Sequence, residues 1–313
     1  MPELSDKHRH PHIDELDVDF LYHLGLDSSM DLPGMFGDVK FVCMGGSAKR
    51  AESFAKKLAT DLDLGVHPEF LEPIGKTERG SMFKVGPILS LSHGMGMPSM
   101  SIFLHEVTKM LEHAGAEDYR FMRIGTSGGV FRSGEEEGTI GIGVEPGTVI
   151  VAEQAIDERL RPIHQKVKLG RPHIYETWFD EEMARELYDV RGDMRVQIGK
   201  TLGANDFYEG QGRLDGALNP GYTEADKLDY LNRAYDVGVR NIEMEAPELA
   251  SFCLRAGIPA ALVCATLLNR LEGDQVASSD EERAKWSLDA QPLVVRYLRK
   301  KLAEGVPEDG MNM

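Results

Sequence analysis

The stretch Phe121-Met122-Arg123-Ile124-Gly125-Thr126-Ser127-Gly128-Gly129 decides how this chain is read. The apolar run from Tyr119 to Ile124 has the length of a buried strand, and Arg123 interrupts it. The run then breaks into glycines and hydroxyls. Glycines let a backbone approach a ligand closely, and exposed N–H groups beside two hydroxyls suit an anion. An arginine at such a nest can fork hydrogen bonds onto a phosphate. The same residues would also suit a strand end with a Gly-rich turn and a solvent-facing arginine. The choice therefore rests on what the rest of the chain supplies.

Upstream, Val39 to Met44 reads as a strand, followed by Gly45-Gly46-Ser47. Ser47 is a helix cap, and apolar spacing predicts a helix over 48–61. A strand, a glycine pair and a helix N-terminus together make an anion-binding device. Arg50 lies in the first turn of that helix, either on phosphate or in solvent. A strand is predicted over 84–92, ending in Ser92-His93-Gly94-Met95-Gly96. Pro98 then opens a helix predicted over 99–113, with Ile102, Phe103, Val107, Met110 and Leu111 on one face.

Downstream, strands are predicted at 147–152, 196–202, 239–244 and 260–266. Helices are predicted at 223–238, 246–256 and 281–303, and the charged region 157–195 receives no assignment. Alternating strands and helices, with strands apolar throughout, imply an α/β fold: a single-domain three-layer α/β/α sandwich around a mixed central sheet. The expected division is an N-terminal arm over 1–36, one domain over 37–304 and a tail over 305–313. Leu21-Tyr22-His23-Leu24 is an apolar island in the arm and needs a surface to cover it, on this subunit or a neighbour.

Composition narrows the function. The chain has 313 residues, 42% hydrophobic and 28% charged, enough for a large core without staples. Its formal net charge of −17 argues against nucleic acid or an anionic membrane surface as a partner. An anionic substrate must then be held by a few local arginines against the overall field. Cys43, Cys253 and Cys264 are odd in number and sit in apolar runs, as expected of reduced thiols in the cytoplasm. No apolar run is long enough to span a membrane, and the first ten residues lack the apolar core of a signal peptide. His8, His10 and His12 alternate on a polar arm that fixes no geometry, so no metal site is expected.

Two further stretches carry chemistry. In Asp206-Phe207-Tyr208-Glu209-Gly210-Gln211-Gly212-Arg213, Gln211 and Arg213 share one side of an extended segment. Glutamine offers a donor group and an acceptor, and arginine only donors. Uracil presents acceptor, donor, acceptor along one edge. Gln211 can meet N3–H and one carbonyl, and Arg213 the other, with Phe207 stacked on the ring. Cytosine would turn a donor toward the arginine and be rejected. The alternative is a polar surface turn. In Asn241-Ile242-Glu243-Met244-Glu245, two carboxylates flank a methionine at the end of an apolar strand, where open α/β sheets bind ligands. They can accept hydrogen bonds from sugar hydroxyls. Alternatively, Glu243 pairs with an arginine and Glu245 opens a helix.

These stretches resemble the uridine phosphorylases of the animal type, in the nucleoside phosphorylase-I family. The likeness is carried by residues 36–46, 84–96, 123–129, 206–216, 241–245 and 267–275, in family order across about residues 20–303. The resemblance implies reversible phosphorolysis of uridine to uracil and ribose 1-phosphate. Inorganic phosphate is then a co-substrate and no cofactor is required. Gly46, Arg50, Arg79, Arg123 and Thr126 match the phosphate site, with Arg79 reaching the adjacent subunit. Ser127, Gly128, Phe207, Gln211 and Arg213 match the uracil pocket. His23, Glu243, Met244 and Glu245 match the ribose pocket, with His23 crossing to the neighbour in a homodimer, so that the 1–36 arm is expected to contact the partner subunit. The expected catalytic group is Arg123, Gln211, Arg213 and Glu245. Against the family pattern the chain has extra residues from about Phe131 to Ile142, including Glu135, Glu136 and Glu137. Two rivals remain: a nucleosidase that uses water, and a nucleoside-binding homologue impaired by this insertion.

Overall fold

The computed structural model describes residues 10–75, 77, 79–132 and 146–305, apart from the side chain of Arg283. Strand β1 (Phe41–Gly45) shows how the layers form. Phe41 and Cys43 point into one core with Phe54 and Leu58, while Val42 and Met44 point into the opposite core with Met100 and Leu104. Successive side chains of a strand face opposite ways. A strand covered on both faces is therefore apolar at every position, which is why the apolar runs have no polar alternation.

The other strands of the sheet are β2 (Met82–Val85), β3 (Ile88–Ser92), β4 (Arg120–Gly129), β5 (Val149–Ile156), β6 (Val196–Gly203), β7 (Val239–Glu243) and β8 (Ala260–Asn269). The spatial order is β7-β6-β5-β8-β4-β1-β3-β2. β4 runs parallel to β1 and β8, while β5 runs antiparallel to β8 and β2 antiparallel to β3. The larger helices are α1 (Ala48–Asp61), α2 (Met97–Ala114), α3 (Glu181–Asp189), α4 (Glu224–Asp236), α5 (Ala246–Ala256) and α6 (Ala290–Glu304). Helices α1, α3 and α6 cover one face of the sheet, and α2 and α5 the other. The mixed three-layer α/β/α sandwich is thus the observed fold.

One feature of the sheet has no counterpart in the sequence pattern. β7 pairs not only with β6 but also, antiparallel, with the end of β4, setting Asn241 opposite Gly129 and Ile242 opposite Gly128. Strands β4, β8, β5, β6 and β7 thereby close into a ring. Gly129 allows the return: a Cβ there would lie 2.0 Å from the Phe131 ring. β8 bulges between Thr266 and Asn269 on the same side, so its register follows the bend of β4. This closure brings Glu243 beside the strand that carries Arg123.

Four local expectations change. The predicted strand over 84–92 is an antiparallel pair, because Gly86 (φ 54°) and Pro87 turn the chain between β2 and β3. The predicted helix over 281–303 is two helices, Asp280–Trp286 and α6, separated by a turn through Ser287, Leu288 and Asp289. The unassigned region 157–195 contains a hairpin, Ile163–Lys168 with Arg171–Glu176, and then α3. The hairpin strands are mostly exposed and lack the apolar alternation that would announce them. The arm, finally, belongs in part to the body. Phe20–Leu21 pairs with Leu26–Asp27, and Leu32–Phe36 is a short helix. Leu21, Leu24, Leu26, Leu32 and Phe36 join the core that contains α2, so the two leucines of the island are covered by this same chain, while Tyr22 stays exposed. Of the expected insertion, 133–142 lies outside the described residues, as do His8 and the tail beyond 305.

Because Leu21 is fully buried in that core, Leu21→Ala should lower unfolding stability by about 2–5 kcal/mol. Urea denaturation of the full chain checks this. An unchanged midpoint would mean that the arm is held only loosely on the body.

Candidate active site

The glycine-rich turn after β1 and the loop after β3 meet closely. A Cβ on Gly46 would lie 3.0 Å from the Gly94 carbonyl oxygen and 3.7 Å from Nη2 of Arg50. Glycine at 46 lets the loops touch without strain, with the Arg50 guanidinium beside them. Ser47 caps α1 as expected, its hydroxyl facing the Arg50 N–H at 3.5 Å. No side chain among the described residues pairs with the Arg50 guanidinium. Burial, and then the charge of Arg123, pull its pKa below the ordinary arginine value, while Cys264 and Glu245 act the other way. An inadequately neutralised, half-buried cation at a helix N-terminus is a place for an anion.

Arg123 is buried in the middle of β4. Its Nη1 lies 3.1 Å from Glu243 Oε2 and 3.1 Å from Cys264 Sγ, and its Nη2 is bonded to Glu245 Oε2. Gly125 makes room for the guanidinium, since a Cβ there would fall 2.4 Å from Nη1. The terminal nitrogens thus rest on carboxylates, and Nε is left without a partner. Burial works against the charge on Arg123, but Glu245 and Glu243 more than offset it and hold the group charged.

The two carboxylates divide the work. Glu243 also accepts from the backbone N–H groups of Glu245 (2.9 Å) and Ala246 (2.8 Å), so its oxygens serve the β7–α5 junction. Burial pushes its pKa up to about 7 against the pull of Arg123, with Glu245 adding to the rise. Glu245 accepts from the Gly96 N–H. Burial pushes its pKa up too, but Arg123 chiefly, with the Gly96 N–H, holds it below the ordinary value. Glu245 is therefore the carboxylate available as an acceptor, and Glu243 the one that builds the corner. Met244 between them is half-buried.

At the far end of β4 the structure brings Gln211 to a residue that the sequence reading gave no role, Arg270. This arginine ends an apolar strand just as Arg123 interrupts one, and that was the signal available. It is 1% exposed. It donates to the Gln211 side-chain oxygen (3.3 Å) and backbone carbonyl (2.9 Å), and to Asp274 (3.0 Å). Its stem runs over Gly128, where a Cβ would lie 2.8 Å from its Cγ. Arginine only donates, so this contact fixes the Gln211 amide with its oxygen toward Arg270 and its NH₂ group away. Lys227 completes the cluster, 2.7 Å from Asp274. Arg213 is held by a two-pronged pair with Asp215 (2.9 and 2.7 Å) and stacks 4.5 Å from the centre of the half-exposed Phe207 ring. Ser127 turns inward, its hydroxyl accepting from Asn241 at 3.0 Å, with Thr201 behind at 2.7 Å. Thr126, on the same strand, has a half-buried side chain.

Two expected residues stand apart from this line. Arg79 is exposed, with only its backbone N–H bonded locally, to Thr77. His23 is anchored to Glu106 on α2 through its backbone N–H (2.8 Å) and Nδ1 (2.7 Å). The cysteines are free and buried. Among the described residues, no group of three or more His, Cys, Asp or Glu could hold a metal, and no helix is long and apolar enough to cross a membrane.

Comparison with known proteins gives the family. A family model described as the phosphorylase superfamily matches residues 40–299. Uridine phosphorylase 1 of Mus musculus is 44% identical over 298 residues, covering 93% of this chain and 91% of the mouse protein. A solved uridine phosphorylase of the oomycete Phytophthora capsici superposes with a TM-score of 0.87 at 42% identity, over 95% of this chain and 98% of that one. A uridine phosphorylase of Schistosoma mansoni, solved in complex with uracil, gives a TM-score of 0.85 at 38% identity, over 97% and 100%. The chain belongs to the phosphorylase superfamily, and within it to the uridine phosphorylases of the nucleoside phosphorylase-I family.

Proposed function

We propose that this protein is a uridine phosphorylase, converting uridine and inorganic phosphate reversibly to uracil and ribose 1-phosphate. The observation that carries this reading is the continuity of the site. Arg50 and Gly46 connect through the loop Gly94-Met95-Gly96 to Glu245 and Arg123. From there β4 leads to Gly128, and Arg270 links Gly128 to Gln211, with Arg213 and Phe207 beyond. One line of contacts thus joins a place for an anion to a reader of a pyrimidine edge, with a carboxylate between them for the sugar.

Phosphate is held by Arg50, Thr126 and the backbone at Gly46. Arg123 adds its field and its unpaired Nε, and Arg79 reaches in from the adjacent subunit. As the C1′–N1 bond breaks, its electron pair moves to uracil and positive charge builds on the ribose. The phosphate dianion stabilises that charge and forms the new C1′–O bond, and positioning supplies much of the rate. Gln211, oriented by Arg270, meets the base through its NH₂ group and the remaining lone pair of its oxygen. Arg213 stabilises the charge on the departing uracil, which then takes up a proton. Glu245 accepts from a ribose hydroxyl, Met244, Ser127 and Gly128 line the nucleoside, and Glu243 supports the corner. The solved relative holding uracil supports the choice of base.

His23 and Arg79 serve a neighbour's site, so the complete enzyme is a homodimer; its buried, unpaired cysteines suit the reducing cytoplasm. Glu106 holds Nδ1 of His23, so Nε2 is the ring nitrogen left for the neighbour's ribose. Neither the nucleosidase nor the impaired homologue has an observation of its own in its favour. A nucleosidase would have no use for an unneutralised Arg50, and the groups expected of a working site are present at both ends.

Uridine cleavage, followed by the loss of uridine absorbance, should require inorganic phosphate. Cleavage in its absence would make the protein a nucleosidase, and no cleavage by folded protein under either condition would favour the binding homologue. Arg50→Ala should raise the KM for phosphate by about tenfold or more, since hydrogen bonds to charged groups contribute about 1.5–3 kcal/mol. Arg213→Ala should lower kcat by about a hundredfold, the scale seen when a donor to developing charge is removed. Steady-state kinetics with each substrate varied separately check both, and a rise in uridine KM alone would remove Arg213 from the leaving-group role.

A further inference from the structure

His93, which follows the last residue of β3, has no part in the reading above. Its ring is fully enclosed. Its backbone is pinned on both sides: the N–H donates to the Gly45 carbonyl at 2.8 Å, and the carbonyl accepts from the Ser99 hydroxyl at 2.5 Å. The ring is another matter. Neither nitrogen has a hydrogen-bond partner in any other described residue, and the one backbone group near it is its own carbonyl. Buried polar atoms are almost always paired, so a ring with both nitrogens orphaned calls for an explanation.

The surroundings supply one. The charges acting on the ring are those of Arg123, Glu245 and Arg50. Burial first, and then the arginines, push its pKa down to about 3 against the pull of Glu245, so the ring is neutral at physiological pH. A neutral imidazole carries one donor and one acceptor. It adds a donor to a crowded cationic place without adding a third positive charge. The loop it begins joins both halves of the site, with the Gly94 carbonyl against Gly46 and the Gly96 N–H on Glu245. The His93 N–H is bonded to Gly45, immediately before the glycine that lies beside the Arg50 guanidinium. Arg123 and Glu245 are nearly as enclosed, at 4% and 3% exposed. All three side chains are thus enclosed, and the ring lies within the electrostatic reach of both arginines.

We propose that His93 is a further phosphate-binding residue, donating a hydrogen bond from one ring nitrogen to an oxygen of the phosphate that Arg50 holds. This rests on the phosphorylase reading, and the test separates the two. The full chain and its His93→Leu variant are compared in KM for phosphate at saturating uridine, in KM for uridine at saturating phosphate, and in the rise of Tm caused by inorganic phosphate alone. His93→Leu should raise the phosphate KM by about tenfold and cut the phosphate-induced rise in Tm to about half at a phosphate concentration about a hundredfold above the wild-type Kd, leaving the uridine KM within about twofold of its original value. His93→Asn, which keeps a donor and an acceptor, should recover part of the loss. An unchanged phosphate KM, or a change confined to uridine, overturns the proposal. A wild-type enzyme that needs no phosphate overturns the phosphorylase reading instead. Should His93→Leu fail to fold, a crystal structure of the wild-type chain with phosphate decides. A His93 nitrogen within hydrogen-bond reach of a phosphate oxygen supports the role, and a ring turned away from the phosphate overturns it.

Discussion

A full positive charge lies in the middle of the central sheet, and two carboxylates from a strand remote in sequence hold it there. Arg123 belongs to β4, while Glu243 and Glu245 come from the end of β7 and the start of α5. An ion pair taken out of water repays its desolvation only when geometry is good and the remaining polar atoms are bonded. Here both conditions are largely met: Glu243 takes two backbone N–H groups, Glu245 takes the Gly96 N–H, and Gly125 clears the space. The antiparallel pairing of β7 with the end of β4 delivers these carboxylates. The ring of strands and the ionic centre therefore depend on each other. Without the closure the arginine would be a lone buried charge, and without the arginine two carboxylates would face each other in the core.

From this centre the site divides by charge. Toward α1 the groups are cationic or donating, and Arg50 is the least neutralised of them. Toward the segment 206–215 the groups are tied down in pairs: Arg270 on Gln211 and Asp274, Arg213 on Asp215. That contrast suits two different ligands. An anion is held by charge, and charge tolerates some freedom. A base edge is read by the direction of donors and acceptors, which must be fixed before it arrives. The chain carries a net charge of −17, so the attraction for an anion is local and belongs to these few arginines.

Much of the fold was legible because burial on both faces leaves a plain signature. β1, β4 and β8 are apolar runs, and α1 and α5 have caps or proline at their starts, so their positions follow from local rules. The failures are equally physical. A mostly exposed hairpin has no apolar face to reveal it, and a glycine–proline turn inside an apolar run is invisible to hydrophobic pattern. In the candidate site, Arg123, Arg50, Gln211, Arg213 and Glu245 announced themselves as charged or polar residues breaking apolar runs or sitting in glycine-rich turns. Arg270, at the end of an apolar run, carries the same signal, but its partner Gln211 lies 59 residues away. The sequence could not say that Gly128 is a glycine to admit the Arg270 stem, or that the Ser127 hydroxyl faces Asn241, because both facts arise from strands more than a hundred residues apart in the chain.

By itself, then, the sequence determined the layered α/β architecture, the place of each short motif on a strand end or helix start, and the family. These are set by period, capping and turn chemistry, which act over a few residues. Only the tertiary structure decided that the sheet closes through β4 and β7, that the leucines of the arm are covered by their own chain, and that Glu243 braces while Glu245 is available. It alone left the His93 ring unpaired beside two arginines. Those outcomes depend on which distant residues compete for the same buried space and the same hydrogen bonds, and no local pattern in the chain records that competition.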